Sequence, residues 1–377
     1  MNRSDQDRNA YMLCGPHAKR GYLRWWHSFS GTSISTGARR HFFVEYLILN
    51  PVPEKRIKPG TARPSYVRVS AGVLPSEDAP GLQLHSYYPI SAAKFAKKPL
   101  FFQAGDQILR ENRILGQVSV NEVEAQRTVL ASDAGTMQWD LELHKTIACH
   151  VGILASPFFC AMNALDSFWH GEGIKTHYRG QVTLNDEIFE VDPDACDGYA
   201  DKHWGRSFNK PWLQLASSYL VSERTGKVLK HSSLALDGCC PRFLFFRFQP
   251  KLILQLTYTG EDFYYSFENP FRKTRMKWGT KENKERFAWH VKAQNPDSMI
   301  KLTIHSPKRS MMTLKYDAPH SVLGDPAGSP HVRVGNEGYG TLDLYRLTPE
   351  GKVWIDTLTI QNALCEFEKP AKKASAK

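Results

Sequence analysis

The chain has 377 residues, 41% hydrophobic and 23% charged, the balance of a folded globular protein. That length holds two ordinary domains or one large β domain. The formal net charge is +11, but Lys and Arg are spread along the chain and no nucleic-acid motif accompanies them, which argues against a nucleic-acid partner. Contact with an anionic membrane surface fits the charge better.

The seven cysteines show no framework spacing, no C-x-x-C pair and no zinc-finger pattern, and Cys239 beside Cys240 is poorly placed to chelate. Reduced thiols in a cytoplasmic setting, with no metal centre, are the expectation. Residues 1–10 are polar, lack an apolar signal region and read as a disordered leader. No run approaches the length of a transmembrane helix.

In chain order the period is mostly two. Residues 41–50 put Phe42, Val44, Tyr46 and Ile48 on one face and Phe43, Glu45, Leu47 and Leu49 on the other, so this strand should be buried on both sides. Residues 66–74, 82–89 and 116–124 are further strands. Residues 136–145 alternate Met137, Trp139, Leu141 and Leu143 with polar partners, a strand with one wet face. A short helix or irregular crossover is expected over 153–168. Strands resume at 173–184 and 187–192, turned at Asn185-Asp186. After 212 a further series runs to 362, with no long amphipathic helix, which predicts a sandwich or barrel. Two aromatic-led hairpins, turned at Thr36-Gly37 and Thr225-Gly226, hint at two related β units. The division expected is a β half over 11–192, a polar hinge over 193–211, a second β half over 212–368 and a basic tail over 369–377.

The segment Gly198-Tyr199-x-x-Lys202-x-Trp204-Gly205-Arg206-Ser207-Phe208 resembles the signature of the tocopherol cyclase-like proteins. So do Pro157-Phe158-Phe159, Trp169-His170-Gly171, His177 and Gly180 before it. Arg20-Gly21-Tyr22-x-x-Trp25-Trp26 and the glycine-rich 335–341 resemble that family's ends less closely. Asn209 stands where the family usually has proline. The resemblance implies an all-β protein of two lipocalin-like halves, related to the carotenoid hydratase and lipocalin-like pericyclase group. It also implies cofactor-free acid chemistry on an alkene of a prenylated or otherwise lipophilic molecule. A non-catalytic carrier of a lipid, terpenoid or pigment would use the same cavity.

Two carboxylates are candidate acids. Glu45, flanked by Phe43 and Leu47, should be desolvated, which raises a carboxyl pKa; pairing with Arg24, Arg39 or Arg40 would do the reverse. Asp201 is crowded by Lys202, His203 and Arg206, and is either an acid or half of an Asp201–Arg206 salt-bridged turn. His27, His170 and His177 are candidate proton carriers or structural hydrogen-bonding groups. His170 and His177 should lie on opposite faces, which disfavours a metal site. Trp25, Trp26, Trp169, Trp204 and Trp212 would either line a cavity, offering π faces to a cation, or fill a core. Tyr199 would either orient a substrate phenol or serve as a helper acid, or cap a corner of the sheet. Arg206 completes the candidate substrate-binding group.

Overall fold

The computed structural model describes residues 7–52, 62–149, 158, 165–208, 212–239, 242–243, 246–267, 273–321 and 330–368. It is an all-β protein with few and short helices. Residues 1–6 of the expected leader, the basic tail, Asn209, Pro157, Phe159 and most of the expected 153–168 helix lie outside the described residues. Within that last range, Ser167 and Phe168 open the strand Ser167–Leu184.

Two large antiparallel sheets share one plan. In the first, Tyr22–Ser33, Arg39–Leu49, Tyr66–Val73 and Leu82–Tyr88 form a meander. The late strands Glu187–Val191 and Gly198–Gly205 return to the free side of Tyr22–Ser33. In the second, Trp212–Ser217, Ser233–Cys239, Lys251–Tyr258 and Glu261–Tyr265 form the meander, and the last strand, Gly351–Glu368, returns beside Trp212–Ser217. The first sheet curls into a barrel and the second into a half-barrel.

The two turns flagged in the sequence are chemically the same. Ser33 Oγ accepts from the Thr36 N–H and Ser222 Oγ from the Thr225 N–H, both at 3.2 Å. Gly37 and Gly226 follow at φ 73° and 66°, where a side chain would be strained.

Three apolar clusters result. One fills the first barrel, with Trp25, Phe42, Tyr46, Trp139, Tyr178 and Trp204. A second fills the half-barrel around Leu254, Trp289, Leu342 and Phe367. The third lies where the sheets meet back to back, and joins Trp26, Phe43, Leu47, Trp169 and Tyr199 to Trp212 and Leu364. The face assignment read from residues 41–50 holds: Phe42, Val44, Tyr46 and Ile48 enter the barrel, and Phe43, Leu47 and Leu49 enter the joint.

Two expectations need correction. The 198–208 segment is no polar hinge: Gly198–Gly205 is a strand buried at every position, paired on one side with Tyr22–Ser33 and on the other with Ser167–Leu184. Its charges are tolerated because each meets a partner: Asp201 the Trp169 indole, Lys202 the Ala10 carbonyl, and His203 the carboxylates of Asp201 and Asp237. The leader reading also fails at its end. Asn9 and Ala10 are fully buried, held by Trp25 Nε1 on Asn9 O at 2.7 Å and Lys202 Nζ on Ala10 O at 2.7 Å. Among the described residues no helix is long and apolar enough to cross a membrane.

Candidate functional site

The joint between the sheets holds a buried polar cluster. Register builds it. Glu45, Trp26 and Asp201 are successive cross-strand partners in the first sheet. Asp237, Gln214 and Glu366 are successive partners in the second. Each sheet thus presents a row with a carboxylate at either end, on strands that hold the same places in the shared plan. Arg24, two residues before Trp26, and its cross-strand partner His203 stand on the same face.

Arg24 bridges the rows. Its Nε lies 2.9 Å from Glu45 and its Nη2 lies 2.8 Å from Glu366, while its guanidinium covers the Trp26 ring at 4.4 Å. Arg68 gives Glu45 a second guanidinium at 2.9 Å, and Tyr316 OH donates to the same carboxylate at 2.5 Å. Asp201 accepts from Trp169 Nε1 at 2.9 Å, from Tyr199 OH at 2.8 Å and from Gln214 Nε2. His203 Nε2 stands 3.5 Å from Asp201 and 3.6 Å from Asp237, and Trp212 Nε1 donates to Glu366 at 2.8 Å.

Burial raises the pKa of every carboxyl here, and the local cations decide the outcome. At Glu45, Arg68, then Arg24 and the Tyr316 hydroxyl, overcome burial and hold the carboxyl below its usual range. At Asp201 the hydrogen bond and charge of His203, with Arg24 and Tyr199, do the same. At Asp237 burial wins, since only His203 and the more remote Arg24 oppose it while Asp201 and Glu366 add repulsion; its pKa is pushed up to about 8. Glu366 is raised by burial in spite of Arg24. His203 is raised by Asp237 and Asp201 against the pull of burial. The four carboxylates face Arg24, Arg68 and His203, so even with His203 protonated the cluster is one positive charge short of neutrality, and Asp237 and Glu366 are the carboxyls that burial pushes toward the protonated form.

The candidates named from the sequence therefore separate. Glu45, Asp201, Tyr199, Trp26 and Trp169 come together in the joint. Trp25, Trp204, His27 and His170 face the first barrel instead. There His27 Nδ1 meets Tyr178 OH at 2.9 Å and His170 Nε2 meets Asn9 at 2.9 Å. His177 lies at the surface, with Nδ1 on Pro193 O at 2.6 Å. Arg206 lies half-buried just past the strand.

The expected pairings change too. Asp201 does not pair with Arg206: five residues apart on an extended strand are about 16 Å apart and on opposite faces. Glu45 has Arg24 as expected, but Arg39 goes to Asp197 and Arg40 to Pro80 O, and Arg68 takes their place. The expectation of a desolvation-raised acid at Glu45 is reversed by these two guanidiniums.

Arg68, Gln214, Asp237, Tyr316 and Glu366 were not singled out. Two had a signal: Asp237 follows Leu234-Ala235-Leu236, and Glu366 sits between Cys365 and Phe367, acids flanked by apolar residues like Glu45.

Concavities of 780, 640 and 520 Å³ open along the described surface. His177 lines the largest and the smallest, and no residue of the joint cluster lines any of the three. Among the described residues no group of His, Cys, Asp and Glu is placed to hold a metal ion.

No family model and no curated protein matches the chain. Among solved structures, a protein of Nitrosomonas europaea provisionally assigned as AttH aligns over 92% of this chain and 94% of its own, at 10% identity and TM-score 0.43. A protein of unknown function from the DUF3598 family of Nostoc punctiforme aligns over 98% of this chain and 100% of its own, at 8% identity and TM-score 0.13. Likeness at these levels says nothing of activity.

Proposed function

We propose that the protein is a cofactor-free enzyme that protonates an alkene of a lipophilic molecule held at the joint between its two sheets. Asp237 is the donor in this reading. The observation that carries it is a fully buried carboxyl with its pKa pushed up to about 8, so that it keeps its proton at neutral pH among indole rings. The proton passes to one alkene carbon, and the cation left on its neighbour is closed by a hydroxyl of the substrate or by water. The hydroxyl proton returns to the Asp237 carboxylate, and the cycle is balanced. Glu45 and Asp201, both held ionised, act as counter-charges for the cation. Prenylated phenols, which carry both alkene and hydroxyl, are the substrate class that fits.

A non-catalytic carrier is the second reading. It is favoured by the pairing of Glu45 with two guanidiniums, since a fully paired carboxylate supplies no proton. One experiment separates the two. The protein and its Asp237→Asn variant are incubated with a short-chain prenyl hydroquinone, and both binding and ring closure are followed. Closure by the parent, with binding but no closure by the variant, supports the enzyme. Equal closure by both removes Asp237 from the role, and binding without closure by the parent leaves the carrier.

A further inference from the structure

The outer face of the second sheet carries lysines in register. Lys277, Lys292 and Lys301 are successive cross-strand partners on the strands Arg275–Glu282, Arg286–Gln294 and Ser298–Pro307. All three are exposed. Neighbouring strands lie about 4.8 Å apart, so the three side chains leave the sheet within about 10 Å. Like charges directly opposite one another weaken a sheet. Among the described residues no ion-pair partner answers any of the three. Asp343 is next in the row, but it accepts from the Thr357 hydroxyl at 2.9 Å.

Further cations border the row. Arg275 and Lys281 are exposed on the outermost strand. Lys301 and Lys352 both reach over the Tyr345 ring, at 5.6 and 4.0 Å. On the same face Trp354, the cross-strand partner of Tyr345, is 49% exposed, so an indole adjoins the basic face.

We propose that this face docks the protein on an anionic lipid bilayer. The charge complementarity is direct: a sheet surface that repels itself gains when it meets a negative surface. The adjoining indole selects the bilayer over a nucleic-acid backbone, since tryptophan suits the boundary between headgroups and acyl chains.

The test is flotation with vesicles of phosphatidylcholine alone and of phosphatidylcholine with phosphatidylserine. The parent protein should float with the anionic vesicles only and be released as salt is raised to about 0.5 M. The triple variant Lys277→Gln/Lys292→Gln/Lys301→Gln should bind those vesicles about 100-fold more weakly. It should melt no lower than the parent, because it relieves repulsion. The triple variant Lys94→Gln/Lys97→Gln/Lys98→Gln, with exposed lysines on the strand Ala93–Ala96 and in the turn that follows it, should bind as the parent does. Equal loss in both variants would assign binding to net charge alone and overturn the proposal. Equal binding to neutral vesicles, or tighter binding to a DNA duplex than to anionic vesicles, would overturn it as well.

Discussion

The two carboxylate rows at the joint hold the same places in their sheets and behave oppositely. Glu45 and Asp237 each sit on the second strand of a meander, one cross-strand step from the first strand. Both are buried. Glu45 touches two guanidiniums and is held ionised; Asp237 has one imidazole 3.6 Å away and keeps its proton to about pH 8. Burial supplies the same push to both. The number of cations within reach decides whether a buried carboxylate is a fixed charge or a proton store.

Arg24 touches both rows, so its loss should be the largest single effect. Arg24→Met leaves Glu45 with one guanidinium and Glu366 with none. Urea unfolding should show a loss of about 3–5 kcal/mol. A loss under about 1 kcal/mol would mean that the rows are not joined through this residue.

The equivalent carboxylates should then differ on amidation. Glu45→Gln removes a charge that two arginines need and should cost about 3 kcal/mol. Asp237→Asn removes an acid that the folded protein must keep protonated at pH 7 while the unfolded chain ionises it, so the variant should gain about a few kcal/mol rather than lose any. Equal costs would break the comparison.

The pH dependence of stability gives a finer contrast. An unfolded Asp titrates near about 3.9, and the folded Asp237 near about 8. Its contribution is fully present below the lower value and is lost as pH rises through the upper one. Glu45 has the opposite sign: its folded pKa is depressed, so its contribution is present above the usual Glu range and lost as pH falls. Asp237→Asn should therefore flatten the decline in unfolding free energy between about pH 4 and 8. Glu45→Gln should leave that region alone and flatten the acid limb.

The smallest effect concerns the turns. Ser33→Ala and Ser222→Ala each remove a side-chain acceptor from a Thr N–H, together with a hydroxyl donated to Glu187 or Asp356 at 2.5 Å. Each should cost about 1 kcal/mol, and about equally, if the two hairpins do the same work.

Much of this was legible in the sequence. The split of residues 41–50 into two apolar faces was correct because a two-residue period leaves no other choice once both faces are buried. The Thr-Gly turns were legible because glycine marks a positive φ. The short strands Ala93–Ala96 and Phe101–Ala104 were not, since a run of lysines hides their alternation. The 198–208 segment misled because charge density was read as exposure. Whether Asp201 meets water or Trp169, Tyr199 and Gln214 depends on strands that arrive from elsewhere in the chain. The pairing of Glu45 with Arg68 and Tyr316 was hidden for the same reason, since the phenol lies 271 residues away.

In each sheet the last strand to be made lies beside the first. Gly198–Gly205 closes onto Tyr22–Ser33, and Gly351–Glu368 onto Trp212–Ser217. On a ribosome, neither unit can seal until its final strand has left the exit tunnel. Arg24 must wait for Glu366, nearly the whole chain later. Through synthesis the first unit carries an arginine meant for a carboxylate that does not yet exist, beside an open apolar face. The first barrel can seal once Gly205 has emerged, but the joint completes only near the end of synthesis, as expected for a contact between distant parts of the chain. The waiting period, more than the finished fold, is when this protein most needs a chaperone.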